Sequence, residues 1–184
     1  MNVRNLKGIT MIKNTTKECL FTALMLLMEQ KSYDKITVTD ITRKAGVSRM
    51  SFYRCYCTKE DVLLDAADRI LDEFQTELEG CGSIEPKDFA KRYFEKLQKN
   101  KNLIKGIEKA GCDKKLFSIE LKYNKLIIEK KVKSHPLSIE DTMLLYYHTG
   151  GIHEIIKYWC YLDFDIPIEE ILNVISKATP HLPD

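Results

Sequence analysis

Thr37 to Lys59 reads TVTDITRKAGVSRMSFYRCYCTK, and its punctuation decides the fold. A hydroxyl residue opens each of three short apolar segments. Thr37 can accept the backbone N–H of Asp40, whose carboxylate then sits in the positive first turn of a helix, while Ile36 before the cap can pack on Ile41 after it. Ser48 repeats the arrangement between Val47 and Phe52, and Thr58 repeats it with Asp61 and Val62. Helices this short do not persist alone, because nucleation costs more than one or two buried side chains return, so they must lean on longer neighbours. Between the first two starts, Ala45 permits close approach, Gly46 permits a left-handed turn and Val47 anchors the next helix. The spacing predicts a helix-turn-helix whose second helix, roughly Ser48 to Cys55, is offered to the major groove of DNA.

With Val47, Phe52 and Tyr56 facing inward, Arg49, Met50, Ser51, Tyr53 and Arg54 are left facing outward. Arg49 and Arg54 can hydrogen-bond guanine edges or phosphates, Met50 can touch a thymine methyl, and Tyr53 can reach a phosphate oxygen. Lys59 adds charge to a helix start already suited to phosphate, and Thr37 offers a similar start.

Charge supports a polyanionic partner for this end. Residues 1–60 hold 11 Lys+Arg against 5 Asp+Glu, a net +6, whereas the remainder holds 18 against 22, a net −4. A solvated lysine-rich surface is the plainer account of the same numbers. A hydrophobic share of 44% with 30% charged residues is that of a globular protein. Met1 to Lys13 has no apolar run of a signal peptide, and Cys19 to Met28 is too short to span a bilayer, so a cytoplasmic location without a membrane partner is expected. The six cysteines lack a CxxC pair or a secreted disulfide spacing, so reduced thiols are the default, with oxidant sensing or metal binding at Cys55 and Cys57 a weaker alternative.

Outside the opening stretch almost every segment repeats apolar residues at three and four. Thr16 can cap a first helix to about Lys31. A long helix runs from Thr58 to about Glu79 and is stopped by the glycines of GCGS. Further helices are expected from Pro86 to Lys99, Asn102 to Ala110 with Gly111 as its stop, Lys114 to Lys133, Ser138 to Leu162, and after Pro167. The sequence therefore reads as all-α with about nine helices: an arm over 1–13, a DNA-binding unit over 14–60 with a linking helix to about 80, and a helical domain over 81–184.

Residues 36–63, ITVTDITRKAGVSRMSFYRCYCTKEDVL, resemble the DNA-binding domain of TetR-type transcriptional regulators through AGVS, the paired aromatics and TKEDVL. The resemblance covers about residues 14–70. Thr42 stands where the family has a small alanine, Cys55 lies inside the aromatic element, and Tyr56 takes a phenylalanine place. It implies that Ser48, Arg49, Met50 and Ser51 read bases while Thr37, Tyr53 and Lys59 meet phosphates of a double-stranded operator. The C-terminal half is similar in layout to the family's effector-binding and dimerisation domain, and YYHTGGIHEIIKYW at 146–159 looks like a helix of one subgroup. By that analogy the last two long helices form a homodimer interface, with Gly150, Gly151, Ile155 and Trp159 in it. A ligand-responsive repressor on a palindromic site is the implied function.

Aromatics at helical spacing, Phe94, Phe117, Tyr123 and Tyr147 among them, are candidates to line a pocket for a small-molecule effector, though core packing is the commoner use of such residues. Phe89, Tyr93, Tyr146 and Tyr158 fall under the same reading. His148 and His153 are about 140° apart around a helix and do not share a metal face. No metal site or cofactor is expected, and no nucleophile–base pair or phosphate loop points to an enzyme. A rival reading gives the protein a partner protein to grip in place of DNA. Arg4, Lys7 and Lys13 are either a basic arm toward DNA or a frayed end.

Overall fold

The computed structural model describes residues 3–81, 85–132 and 136–178, the side chains before residue 15 and at 131–132 excepted. Among the described residues there are nine α-helices and no strand: α1 (Val3–Gln30), α2 (Val38–Ala45), α3 (Arg49–Tyr53), α4 (Lys59–Glu79), α5 (Pro86–Lys99), α6 (Lys101–Lys109), α7 (Asp113–Val132), α8 (Ile139–Tyr161) and α9 (Ile168–Ala178). None is long and apolar enough to cross a membrane.

Most starts follow the caps. Thr37 accepts from the Asp40 N–H at 3.1 Å while the Asp40 carboxylate accepts from the Thr37 N–H at 3.0 Å, and Thr58 and Asp61 form the same reciprocal box. Ser48 accepts from the Ser51 N–H at 3.0 Å, and Ser138 from the Asp141 N–H at 3.0 Å. Gly46 and Gly111 take the left-handed conformation, with φ of 68° and 64°.

Three expectations are corrected. The first helix starts at Val3 and not at Thr16, since the residues between hold no proline and a single glycine, Gly8, and helix simply continues. Arg4, Lys7 and Lys13 lie on that backbone, with side chains outside the described residues. The second helix of the motif is a shorter one, Arg49–Tyr53, because Arg54 closes it. Gly80 ends α4 in the right-handed region, φ −77°, so its left-handed freedom goes unused.

Two apolar cores divide the chain. In the first, α1 supplies Leu20, Leu24 and Leu27, the helix-turn-helix supplies Ile41, Phe52 and Tyr56, and α4 supplies Val62, Leu63 and Ala66. In the second, Phe94 and Leu97 of α5 meet Ile156 and Trp159 of α8 and Ile168, Ile171 and Leu172 of α9. The short helix α6 serves both, giving Leu103 and Ile107 to the first and Ile104 to the second. Gly106 lets α6 approach the first core closely: a Cβ there would lie 3.6 Å from Leu63 Cδ2 and from Met28 Cε. After α8, Asp163 and Phe164 are both left-handed, which costs roughly 1–2 kcal/mol each for side chains of this kind. Burial of the Phe164 ring 4.8 Å from Trp159, with the Phe164 N–H on the Trp159 carbonyl at 2.8 Å, offsets that cost.

Candidate nucleic-acid interface and interior cavity

Phe52 aims α3. Its ring is fully buried beside Tyr56, at 5.9 Å, and this anchors one side of a helix too short to hold its own direction. The opposite side is open: Met50 is 74% exposed, Tyr53 52%, and Ser48, Arg49 and Arg54 are exposed with them. Ser48 Oγ and Ser51 Oγ are 3.0 Å apart, and Arg54 donates to Ser51 Oγ at 3.3 Å, so these three form a chain along one edge. Arg49 makes no such contact among the described residues. Thr37 is exposed at the start of α2. Arg43 and Lys44, unremarked in the sequence reading, are exposed at the end of α2, where their signal was two adjacent cations before the left-handed glycine.

Lys59 is occupied differently from the sequence expectation. Its ammonium donates to the Tyr33 carbonyl at 2.8 Å and the Ile36 carbonyl at 3.0 Å, and sits 4.0 Å from the centre of the Tyr33 ring. A short 3-10 turn, Tyr33–Lys35, brings those carbonyls to the start of α4. Two of its three donors are thereby committed to bracing the domain. Tyr33 in turn donates to Glu60 at 2.7 Å, and burial, with this carboxylate beside it, pushes its phenol far above the ordinary range. Asp65 gathers the rest, pairing with Lys17 of α1 and accepting from Tyr56 at 3.0 Å. Thr42, where the family pattern has alanine, is buried and donates to the Thr39 carbonyl at 3.2 Å, which keeps its hydroxyl satisfied.

In the C-terminal half a cavity of about 90 Å³ opens between α4, α5, α7 and α8, lined by Phe74, Phe89, Tyr93, Phe94, Tyr123 and Glu120 among others. A second, of about 30 Å³, shares Leu71, Tyr93 and Glu120 with it and reaches Leu103, Ile104 and Ile107 of α6. Of the sequence candidates, Phe94 and Tyr123 lie on the wall. Phe117 does not; it packs edge-on against His153, centroids 5.4 Å apart. Tyr147 does not either, being 68% exposed on the outer side of α8 beside His148. Among the wall residues missed by the sequence reading are Phe74 of α4 and the polar Glu120 and Asn124, whose place depends on which side of α7 turns inward. Glu120 is buried and bonded to His153 Nδ1 at 2.6 Å, and that contact raises the His153 pKa above its ordinary value despite burial.

The interface candidates also separate. Trp159 is 0% exposed, with its indole N–H on the Ile166 carbonyl at 2.9 Å, and leaves no open surface of its own. It comes nine residues after Gly150, about half a turn around the helix and so on its opposite side. Ile155 is half-buried against the second core. Gly150 and Gly151 face open space, on a side of α8 that also carries exposed Ile139, Met143, Tyr146, Tyr147, Tyr158 and Tyr161.

Comparison with known proteins agrees with this geometry. Residues 20–67 match the family described as bacterial regulatory proteins, tetR family. An uncharacterized HTH-type transcriptional regulator of Bacillus subtilis, YxbF, is 35% identical over 82 residues, which is 44% of this chain and 21% of that protein. The chain thus spans about a fifth of the curated relative it matches. Among solved structures, Lin0861 from Listeria innocua superposes with a TM-score of 0.77 at 18% identity, covering 100% of this chain and 94% of that one. The fatty acid degradation regulator FadR from Bacillus halodurans gives 0.60 at 17% identity, covering 88% and 92%. Over residues 20–67 the helix-turn-helix unit is thus that of the bacterial regulatory proteins of the tetR family, and the all-α fold that carries it is similar to those of the two solved structures.

Proposed function

We infer that the protein binds a palindromic operator in double-stranded DNA as a homodimer and acts as a repressor released by a small-molecule ligand. The observation that carries DNA binding is the two-sidedness of α3, with Phe52 sealed in the core and Arg49, Met50 and Tyr53 standing free. Ser48, Ser51 and Arg54 complete the reading edge, and the α2 start at Thr37 offers backbone N–H groups to a phosphate. Two copies of α3, about 34–36 Å apart, would enter successive major grooves on one side of the duplex.

The dimer reading rests on the exposed apolar side of α8, where Gly150 and Gly151 permit close helix approach and offset the roughly 1 kcal/mol that each costs within a helix. Ligand response rests on α6, whose Leu103 and Ile107 line the smaller cavity and also belong to the core beneath the helix-turn-helix. A ligand that shifts α6 acts on both, and it needs only to favour one arrangement over the other.

Selection of bound duplexes from random DNA at stated salt tests the reading. A two-fold symmetric consensus is expected. Recovery of no preferred sequence, together with capture of a protein through α8, would replace it with the partner-protein reading.

A further inference from the structure

Resting on the ligand-responsive reading, we propose that the interior cavity takes a small aromatic amine in its ammonium form, held by Glu120 among aromatic rings. Three wall groups lead to this chemistry. Glu120 spends one carboxylate oxygen on His153 and has no further hydrogen bond among the described residues, although it borders both cavities. Tyr93, which also borders both, makes no hydrogen bond through its hydroxyl among the described residues. Asn124 donates its amide to Thr149 at 3.1 Å, which leaves its carbonyl oxygen as the spare group. All three can accept a hydrogen bond, and neither cavity is lined by lysine or arginine. An ammonium brings three donors and no acceptor, matching this set.

The rings set the rest of the ligand. Phe74 lies 5.5 Å from Phe89 and 5.6 Å from Tyr93, centroid to centroid, so an incoming cation meets a cluster of aromatic rings as well as a carboxylate. An anion would face Glu120, whose neighbouring cation, His153, is already spent on the same carboxylate and lines neither cavity. A neutral hydrocarbon would leave Glu120 and Tyr93 unpaired inside the protein. Size limits the ligand to one ring and a short arm. A void near 150 Å³ holds benzene, and turning Tyr93 would merge the two cavities, of about 90 and 30 Å³, toward that size.

The test is calorimetric titration of the full chain at pH 7 with 2-phenylethylammonium, 2-phenylethanol and phenylacetate, which share a ring and differ in charge. The amine is expected to bind at least about ten-fold more tightly than the alcohol, with phenylacetate weakest, as a charge-assisted hydrogen bond in a desolvated site requires. Glu120→Gln should bring amine and alcohol within about three-fold of one another, and Tyr93→Phe, which keeps the ring and its packing, should weaken the amine about five-fold. Ala90→Phe, filling the cavity from its α5 wall, should abolish binding. Tightest binding by phenylacetate, an amine preference that survives both Glu120→Gln and Tyr93→Phe, or no heat from the amine at millimolar concentration would overturn the proposal. Operator affinity measured with and without the amine separates the two ideas: binding of the amine with unchanged DNA affinity keeps the site and removes ligand-triggered release.

Discussion

Phe52 and Met50 stand two residues apart on α3, the first fully buried and the second 74% exposed, and the difference assigns work to each outward neighbour. Arg49 has no partner of its own among the described residues, so Arg49→Ala should leave the melting temperature unchanged while costing about 1–3 kcal/mol of operator binding and relaxing preference at one base pair. Binding to a panel of single-base operator variants checks it. Lys59 divides the other way. Because its ammonium braces the Tyr33 and Ile36 carbonyls, Lys59→Met should lower stability by about 1–3 kcal/mol in a denaturant titration. The slope of DNA affinity against salt should change by less than one unit per site, as a residue that is not chiefly a phosphate contact requires. His153 adds a pH term. Glu120 raises its pKa in the folded chain, so the folded protein keeps a proton that the unfolded chain releases near pH 6.5, at about the ordinary histidine value. The resulting stability is complete below that pH and is lost as pH rises through the folded value. The denaturation midpoint should fall on going from pH 6 to pH 8 in the parent, and should not fall through this route in His153→Gln.

Helix α6 is the element on which the two halves depend, and Gly106 is its point of closest approach. A methyl group there would find ordinary contact distances, 3.6 Å to Leu63 and to Met28, while helix propensity improves. Gly106→Ala should therefore stabilise the protein by about 0.5–1 kcal/mol, and Gly106→Leu should destabilise it by overpacking; thermal melts distinguish the two signs. The helix starts were legible in the sequence because a cap is a local event: Thr37 with Asp40, and Thr58 with Asp61, need only neighbours three residues away. The features that were not legible depend on residues distant in the chain. Lys59 is braced by carbonyls more than twenty residues earlier, and Phe117 leaves the cavity because His153 holds its ring. Trp159 looked available for a partner until α9 and Phe164 closed over it.

At the scale of the whole molecule, the apolar side of α8 is a surface left exposed among the described residues, carrying Met143, Tyr146, Tyr147, Tyr158 and Tyr161 past the open Gly150. On the proposed homodimer, a charge placed in its middle prevents self-association: Tyr147→Asp is expected to halve the mass seen by light scattering and to weaken operator binding, with helix content unchanged. The exposed edge of α3 was visible in the sequence because AGVS and TKEDVL fix its frame, whereas the cavity was half visible, since aromatic spacing marks candidate rings but not the helix face that turns Glu120 inward. The chain has one tryptophan, and it is sealed inside the second core, away from the helix-turn-helix. Its emission consequently registers the loosening of one half alone, while far-ultraviolet dichroism sums helices from both. Since α6 gives side chains to each core, the two optical signals should change at one denaturant concentration, and Gly106→Leu, by prising α6 from α1 and α4, should pull them apart.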